Sequence, residues 1–75
     1  MKIKNASEFG KLIKETRQAQ NLRQVDLAAA SGCGERFIID LEKGKPTCEL
    51  EKAILVAQML GISLEAKTPE RRDRP

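Results

Sequence analysis

Apolar residues first recur with helical spacing at Phe9, Leu12 and Ile13, with Thr16 completing the i, i+3, i+4, i+7 stripe. Ser7 precedes the stripe as an N-cap and Glu8 places an anion where the helix dipole favours one, so a first helix is predicted from Ser7 to Ala19. Gln20-Asn21 closes it, because Asn tolerates the left-handed backbone of a C-cap. A second helix is predicted over Gln24–Ser31, around Leu27 and the Ala28-Ala29-Ala30 run. Gly32-Cys33-Gly34 breaks it with two glycines in three residues. A third helix, Glu35–Lys43, turns Ile38, Leu41 and Glu42 inward and stops at Gly44, with Pro46 just beyond. Thr47 is the expected cap of a fourth helix, Cys48–Leu60, ended by Gly61. Its core stripe reads as Leu50, Ile54 and Ala57, flanked by Ala53 and Leu60, with Leu55 and Met59 nearly opposite. Ile62-Ser63-Leu64-Glu65-Ala66 then alternates at period two and reads as a short strand.

The pattern predicts an all-α bundle of four main helices with a short C-terminal strand. It divides into an arm at 1–6, one domain over 7–66, and a tail at 67–75 expected to be disordered. Composition agrees: 75 residues, 40% hydrophobic, with Phe9 and Phe37 the only aromatics, suit one small helical domain and not an all-β one. No apolar run approaches the roughly 18 residues of a membrane span, and the charged start MKIKN is no signal peptide, so a cytoplasmic protein is expected.

Chemistry is narrowed by what is missing. Without histidine the usual general base and the commonest metal ligand are gone. No phosphate-cradling glycine loop occurs either, and the chain is read as a non-enzyme with no cofactor and no metal. Cys33 and Cys48 are too few for a zinc site or a disulfide scaffold, and Cys33 reads as a small apolar filler of its turn rather than a redox thiol. Fourteen Lys/Arg against eleven Asp/Glu give a net charge of +3, compatible with nucleic acid.

Two short helices joined by a glycine-containing turn form the helix-turn-helix arrangement, here Gln24–Ser31 and Glu35–Lys43. The chain also resembles the Cro/repressor-like, XRE-type DNA-binding domains. The matching residues are Arg17, Leu22-Arg23-Gln24-Val25-Asp26-Leu27-Ala28, Gly32, Ile38, Leu41-Glu42-Lys43-Gly44-Lys45-Pro46 and Val56-Ala57…Leu60-Gly61-Ile62, within residues 8 to 66. The resemblance implies an ion pair between Arg17 and Glu42 that locks the first helix to the end of the recognition helix. It implies too that Glu35, Arg36 and Asp40 point into the major groove of an operator, with Phe37 flanking it. Arg36 suits guanine, whose O6 and N7 it reaches together, Glu35 suits the cytosine amino group, and Phe37 a thymine methyl. Asp40 either accepts from a cytosine or braces Arg36, and the brace is favoured; a solvated helix face remains the alternative for Glu35 and Asp40. Arg23, Gln24, Lys43, Lys45 and Thr47 are the expected phosphate contacts, with solubility the plain alternative for Lys43, Lys45 and the Lys2/Lys4 arm.

Three positions depart from the family pattern: Arg23 and Gly34 where Ser or Thr caps are usual, and Ser31 where a large aliphatic residue is usual. Leu55, Met59, Ile62 and Leu64 form a second apolar surface, expected to make a homodimer that sets two recognition helices about 34 Å apart, with the Ile62–Ala66 strand pairing with its symmetry mate; packing of these residues under the N-terminal arm is the alternative. The strand ending in place of a fifth helix resembles HipB-like antitoxins, which implies autoregulation of an operon and a HipA-like kinase toxin as partner. A phage- or plasmid-type repressor, a restriction–modification controller, and an interaction module without DNA binding stay as alternatives.

Overall fold

Asn5, not Ser7, starts the first helix. Its backbone is extended (φ −159°, ψ 174°) and its Oδ1 accepts from the Glu8 N–H at 2.8 Å, so α1 runs Ala6–Ala19. From that position an Asn oxygen reaches the third free N–H of the helix, and the Glu8 carboxylate reaches back to accept from the Lys4 N–H at 2.6 Å. The computed structural model describes residues 2–69. Within them α1 is followed by α2 (Gln24–Ser31), α3 (Glu35–Glu42) and α4 (Leu50–Met59). The fourth helix therefore begins later than Cys48, and Thr47 is not its cap. The Cys48 N–H closes a turn onto the Lys45 carbonyl at 3.4 Å, which takes up residues 46 and 47, and Glu49 becomes the N-cap without a side-chain bond.

Three helices end in one way. Asn21 (φ 60°), Gly44 (φ 83°) and Gly61 (φ 80°) each follow the C-cap in left-handed conformation. The next residue then bonds back to the third carbonyl from the end: Leu22 to Arg17, Lys45 to Asp40 and Ile62 to Ala57. This Schellman closure satisfies carbonyls that the helix leaves free and turns the chain back over its own last turn.

α3 packs against α1 and α2, and α2 also packs against α4. Between them lie Ile13, Leu27, Ile38, Leu41, Val56, Ala57 and Leu60 with the smaller Ala28, Cys33 and Ala53. The α1–α3 contact depends on Gly10: a Cβ there would stand 2.2 Å from the Leu41 carbonyl oxygen and 2.9 Å from that of Glu42. Any side chain would part the helices.

The core stripe of α4 differs from expectation. Leu50 is 72% exposed, while Ala53, Val56, Ala57 and the C-cap Leu60 are buried. The expected strand is also absent. No strand forms among the described residues: beyond Ile62 the segment makes no backbone–backbone hydrogen bond among them, and a strand needs a bonded partner. The tail from Lys67 to Pro69 is irregular, and the rest of the expected disordered tail, 70–75, lies outside the described residues.

Candidate nucleic-acid interface

The turn between α2 and α3 is built for a sharp reversal. Gly32 sits at φ 74° with nothing within 4 Å of where a Cβ would be, so its role is conformational, not steric. Ser31, in the place of a large aliphatic residue, is buried and donates to the Ala28 carbonyl at 3.4 Å while accepting from the Cys33 N–H at 3.3 Å. Cys33 fills the turn. Its partner in type, Cys48, is half-buried, and burial followed by the negative charge of Asp40 pushes its thiol pKa up, which disfavours the reactive thiolate.

Beneath this frame Arg17 makes three hydrogen bonds to two partners. Its Nε donates to Glu42 Oε2 at 2.6 Å, Nη2 to Oε1 at 3.0 Å, and Nη1 to the Leu22 carbonyl at 2.7 Å. The two side chains are 9% and 3% exposed. A two-bond guanidinium–carboxylate pair in such a dry setting fixes geometry as well as charge. It joins the end of α1 to the end of α3 and to the loop that leads into α2. Gln24 Nε2 also donates to Glu42 Oε1 at 3.0 Å. Its amide, expected on a phosphate, is therefore part of the clasp, and the backbone N–H and the other amide hydrogen are what remain for DNA.

Arg23 is turned the same way. Its Nη2 lies 3.0 Å from Asp26 Oδ1 and its Nε 3.1 Å from Oδ2, while its backbone N–H donates to Oδ2 at 2.8 Å. Asp26 thus caps α2 from the inside, where the family usually has Ser or Thr ahead of it. The Arg23 side chain holds the Asp26 carboxyl below the ordinary carboxylate pKa, with the backbone bond adding to it.

On the outer face of α3, Glu35 and Arg36 are exposed and Asp40 is half-buried. Arg36 Nη2 is 3.4 Å from Asp40 Oδ1, the arrangement of a brace. Lys45 Nζ is 3.6 Å from Asp40 Oδ2, a second contact that sequence reasoning missed although Gly44 at C′ signals the reversal behind it. Lys43 and Thr47 are exposed beside it. Phe37 is placed differently from expectation: it packs against the core, and Lys52 Nζ of α4 sits 5.9 Å from its ring centroid. A cation over the ring face ties Phe37 to α4 and leaves less of it to flank a groove. Among the described residues no group of three His, Cys, Asp or Glu is placed to hold a metal, and no helix is long and apolar enough to cross a membrane.

Of the four residues expected to form one dimer surface, Ile62 and Leu64 line one depression together, and Leu55 and Met59 stand one turn apart on α4. Leu64, 45% exposed, lines a groove of about 360 Å³ with Ile3, Phe9, Leu50 and Ile54, and Ile62 lines the adjoining depression with Ile3 and Leu12. Leu55 is half-buried and Met59 is 47% exposed. Both stand roughly 100–180° around α4 from Leu50 and Ile54, at 100° per residue.

With this geometry in view, the comparisons with known proteins agree. A helix-turn-helix family model matches residues 13–67. The chain belongs to that family, the XRE type of DNA-binding transcription regulators. It is 45% identical over 71 residues to the uncharacterized HTH-type transcriptional regulator y4mF of Sinorhizobium fredii, covering 95% of this chain and 93% of that protein. Among solved structures it is similar to the HipB–O4 20mer complex, with a TM-score of 0.83 and 21% identity over 93% of this chain and 99% of the other. That likeness is one of fold: four helices and a helix-turn-helix.

Proposed function

We propose that this chain is a sequence-specific repressor that binds operator DNA as a homodimer and blocks transcription by occupying a promoter. The observation that carries it is the outer face of α3. Arg36 stands there 78% exposed, next to the loop that bears Lys43 and Lys45, and the buried Arg17–Glu42 clasp holds α3 to its neighbours. Arg36 is the base-reading residue, with Glu35 beside it; Lys43, Lys45, Thr47 and the α2 start supply phosphate contacts. The likeness of fold to the HipB complex supports the narrower reading of an antitoxin that represses its own operon and takes a kinase toxin as partner.

The test is a titration of the gene's own promoter and other genomic fragments against wild type and Arg36→Ala at two salt concentrations. Tight binding to a pseudo-palindrome, lost in the variant, supports the repressor. Weak, salt-sensitive binding that the substitution leaves unchanged assigns the fold to a protein partner instead. Dimerisation is read by sedimentation: Met59→Lys and Leu64→Lys distinguish the two apolar faces, and removal of residues 67–75 leaves both folding and association intact.

A further inference from the structure

The chain leaving α3 folds back on it. Gly44 N–H bonds to the Leu41 carbonyl and Lys45 N–H to the Asp40 carbonyl, both at 3.0 Å, which returns Lys45 to the level of Asp40. Arg36 reaches the same carboxylate from the preceding turn, four residues back along the helix. One oxygen of Asp40 therefore faces each cation, at 3.4 Å and 3.6 Å. The Asp40 side chain is 18% exposed, whereas Arg36 is 78% and Lys45 54% exposed. Both separations exceed the roughly 2.7–2.9 Å of a short charge-assisted hydrogen bond, so the cations are held by charge and are free to leave.

We infer that Asp40 is a specificity-determining residue: its carboxylate withholds Arg36 and Lys45 from the phosphates of wrong sequences, and on the right one it keeps Arg36 as its partner and gives up Lys45. The inference rests on the DNA-binding reading above. A random duplex offers this face phosphates alone. To meet them, Arg36 and Lys45 must turn from Asp40 and leave a bare carboxylate facing a polyanion, a like-charge contact that opposes the complex. On the correct sequence Arg36 lies across a guanine through two N–H groups and still has others to give Asp40, since a guanidinium carries five. The carboxylate then stays partnered and Lys45 is freed for phosphate. A positive face carrying one shared carboxylate thus binds less tightly everywhere, and loses least where Arg36 finds its base.

The experiment compares wild type, Asp40→Asn and Glu51→Gln on two duplexes across a salt series. One duplex is the sequence that wild type enriches from a random pool, and the other is its scrambled version. Asp40→Asn keeps the shape and removes the charge; Glu51→Gln removes the same charge from the exposed side of α4. The expected result is scrambled-duplex binding about tenfold tighter in Asp40→Asn, with a salt slope steeper by about 0.9–1.8 as Lys45, with or without Arg36, reaches phosphate. Enriched-duplex affinity moves less than about threefold, so discrimination falls, and Glu51→Gln changes neither ratio nor slope. An unchanged ratio, an equal shift in Glu51→Gln, or a fall caused only by weaker enriched-duplex binding overturns the inference. If wild type enriches no sequence, the repressor reading itself falls; if it does and Asp40→Asn keeps the ratio, only the role of Asp40 falls.

Discussion

The α2–α3 face and α4 differ in what fixes them. On the first, nearly every placement is set by a directional contact: Arg17 on Glu42, Gln24 on Glu42, Asp26 on the Arg23 N–H, and Gly32 and Gly44 in left-handed turns. α4 has few such contacts beyond the Gln20 Nε2 bond to the Leu60 carbonyl at 2.8 Å. Apart from Lys52, which sits over the Phe37 ring, its side chains are sorted mainly by burial, and burial is non-directional. A face held by polar geometry has one phase. A helix that is apolar on several sides has several that are nearly as good, and its neighbours choose among them.

The comparison breaks first at the clasp. Glu42→Ala should destabilise the domain by about 3–5 kcal/mol, because Arg17 is left charged and dry with only the Leu22 carbonyl for company. Denaturant unfolding followed by circular dichroism measures it. A loss below about 1 kcal/mol would mean that Arg17 rehydrates easily, and that the α2–α3 face is no more directional than α4.

The phase of α4 is tested next by a pair of like substitutions. Leu60→Ala empties a core position and should cost about 2–5 kcal/mol. Leu50→Ala, at a residue 72% exposed, should stay within about 0.5 kcal/mol. Comparable losses at both sites would restore the stripe through Leu50, Ile54 and Ala57 and show that Leu50 is covered in solution.

These two regions also show what was legible in the sequence. In α3 the apolar positions Ile38 and Leu41 are interrupted by Glu35, Arg36, Asp40 and Lys43, so only one face can turn inward, and Gly34 and Gly44 bound it. The α2 limits were equally plain between Arg23 and Gly32. In α4, Leu50, Ile54, Leu55, Val56 and Met59 encircle the helix, and the expected stripe came out roughly 70° from the buried one, less than one residue's rotation. Two ends came out elsewhere than expected: Asn5 caps α1 in place of Ser7, and the Lys45–Cys48 turn takes up Pro46 and Thr47 before α4. Gly10 went unread, because a glycine inside a helix declares its reason only when the crossing helix is seen. For the interface, it was the family resemblance that implied an outward-facing Glu35, Arg36 and Asp40 on α3. It did not show that Gln24 and Arg23 spend their side chains within the protein, since those partners are chosen in three dimensions.

A smaller effect asks how firmly Arg23 is held. Asp26 has its folded pKa lowered by the Arg23 side chain and backbone. The contact therefore adds stability above the unfolded carboxyl pKa, and that contribution is lost as pH falls through the lower, folded value. The Asp26 carboxyl carbon, followed by NMR, should titrate below the ordinary aspartate range in wild type and move up toward it in Arg23→Ala. If Arg23 meets phosphate when DNA binds, adding duplex should raise the Asp26 midpoint more in wild type than in Arg23→Ala, where only the DNA's own negative charge acts on the carboxyl.

The smallest effect concerns a place where the well-determined face breaks a local rule. Gly34 is the N-cap of α3, in extended backbone at φ −66° and ψ 153°, with no side chain to accept from the free N–H groups of the first turn. A Cβ there would meet nothing within 4 Å, so Gly34→Ser adds an acceptor in a conformation serine takes readily. Glycine is itself a fair N-cap, and the expected gain is only a few tenths of a kcal/mol, or about 1–3 °C in Tm for a domain this size. Scanning calorimetry resolves that shift. An unchanged or lowered Tm would mean that the reversal from Gly32 to Gly34 needs glycine for freedom at both ends, and that the turn is held less by its hydrogen bonds than its geometry implies.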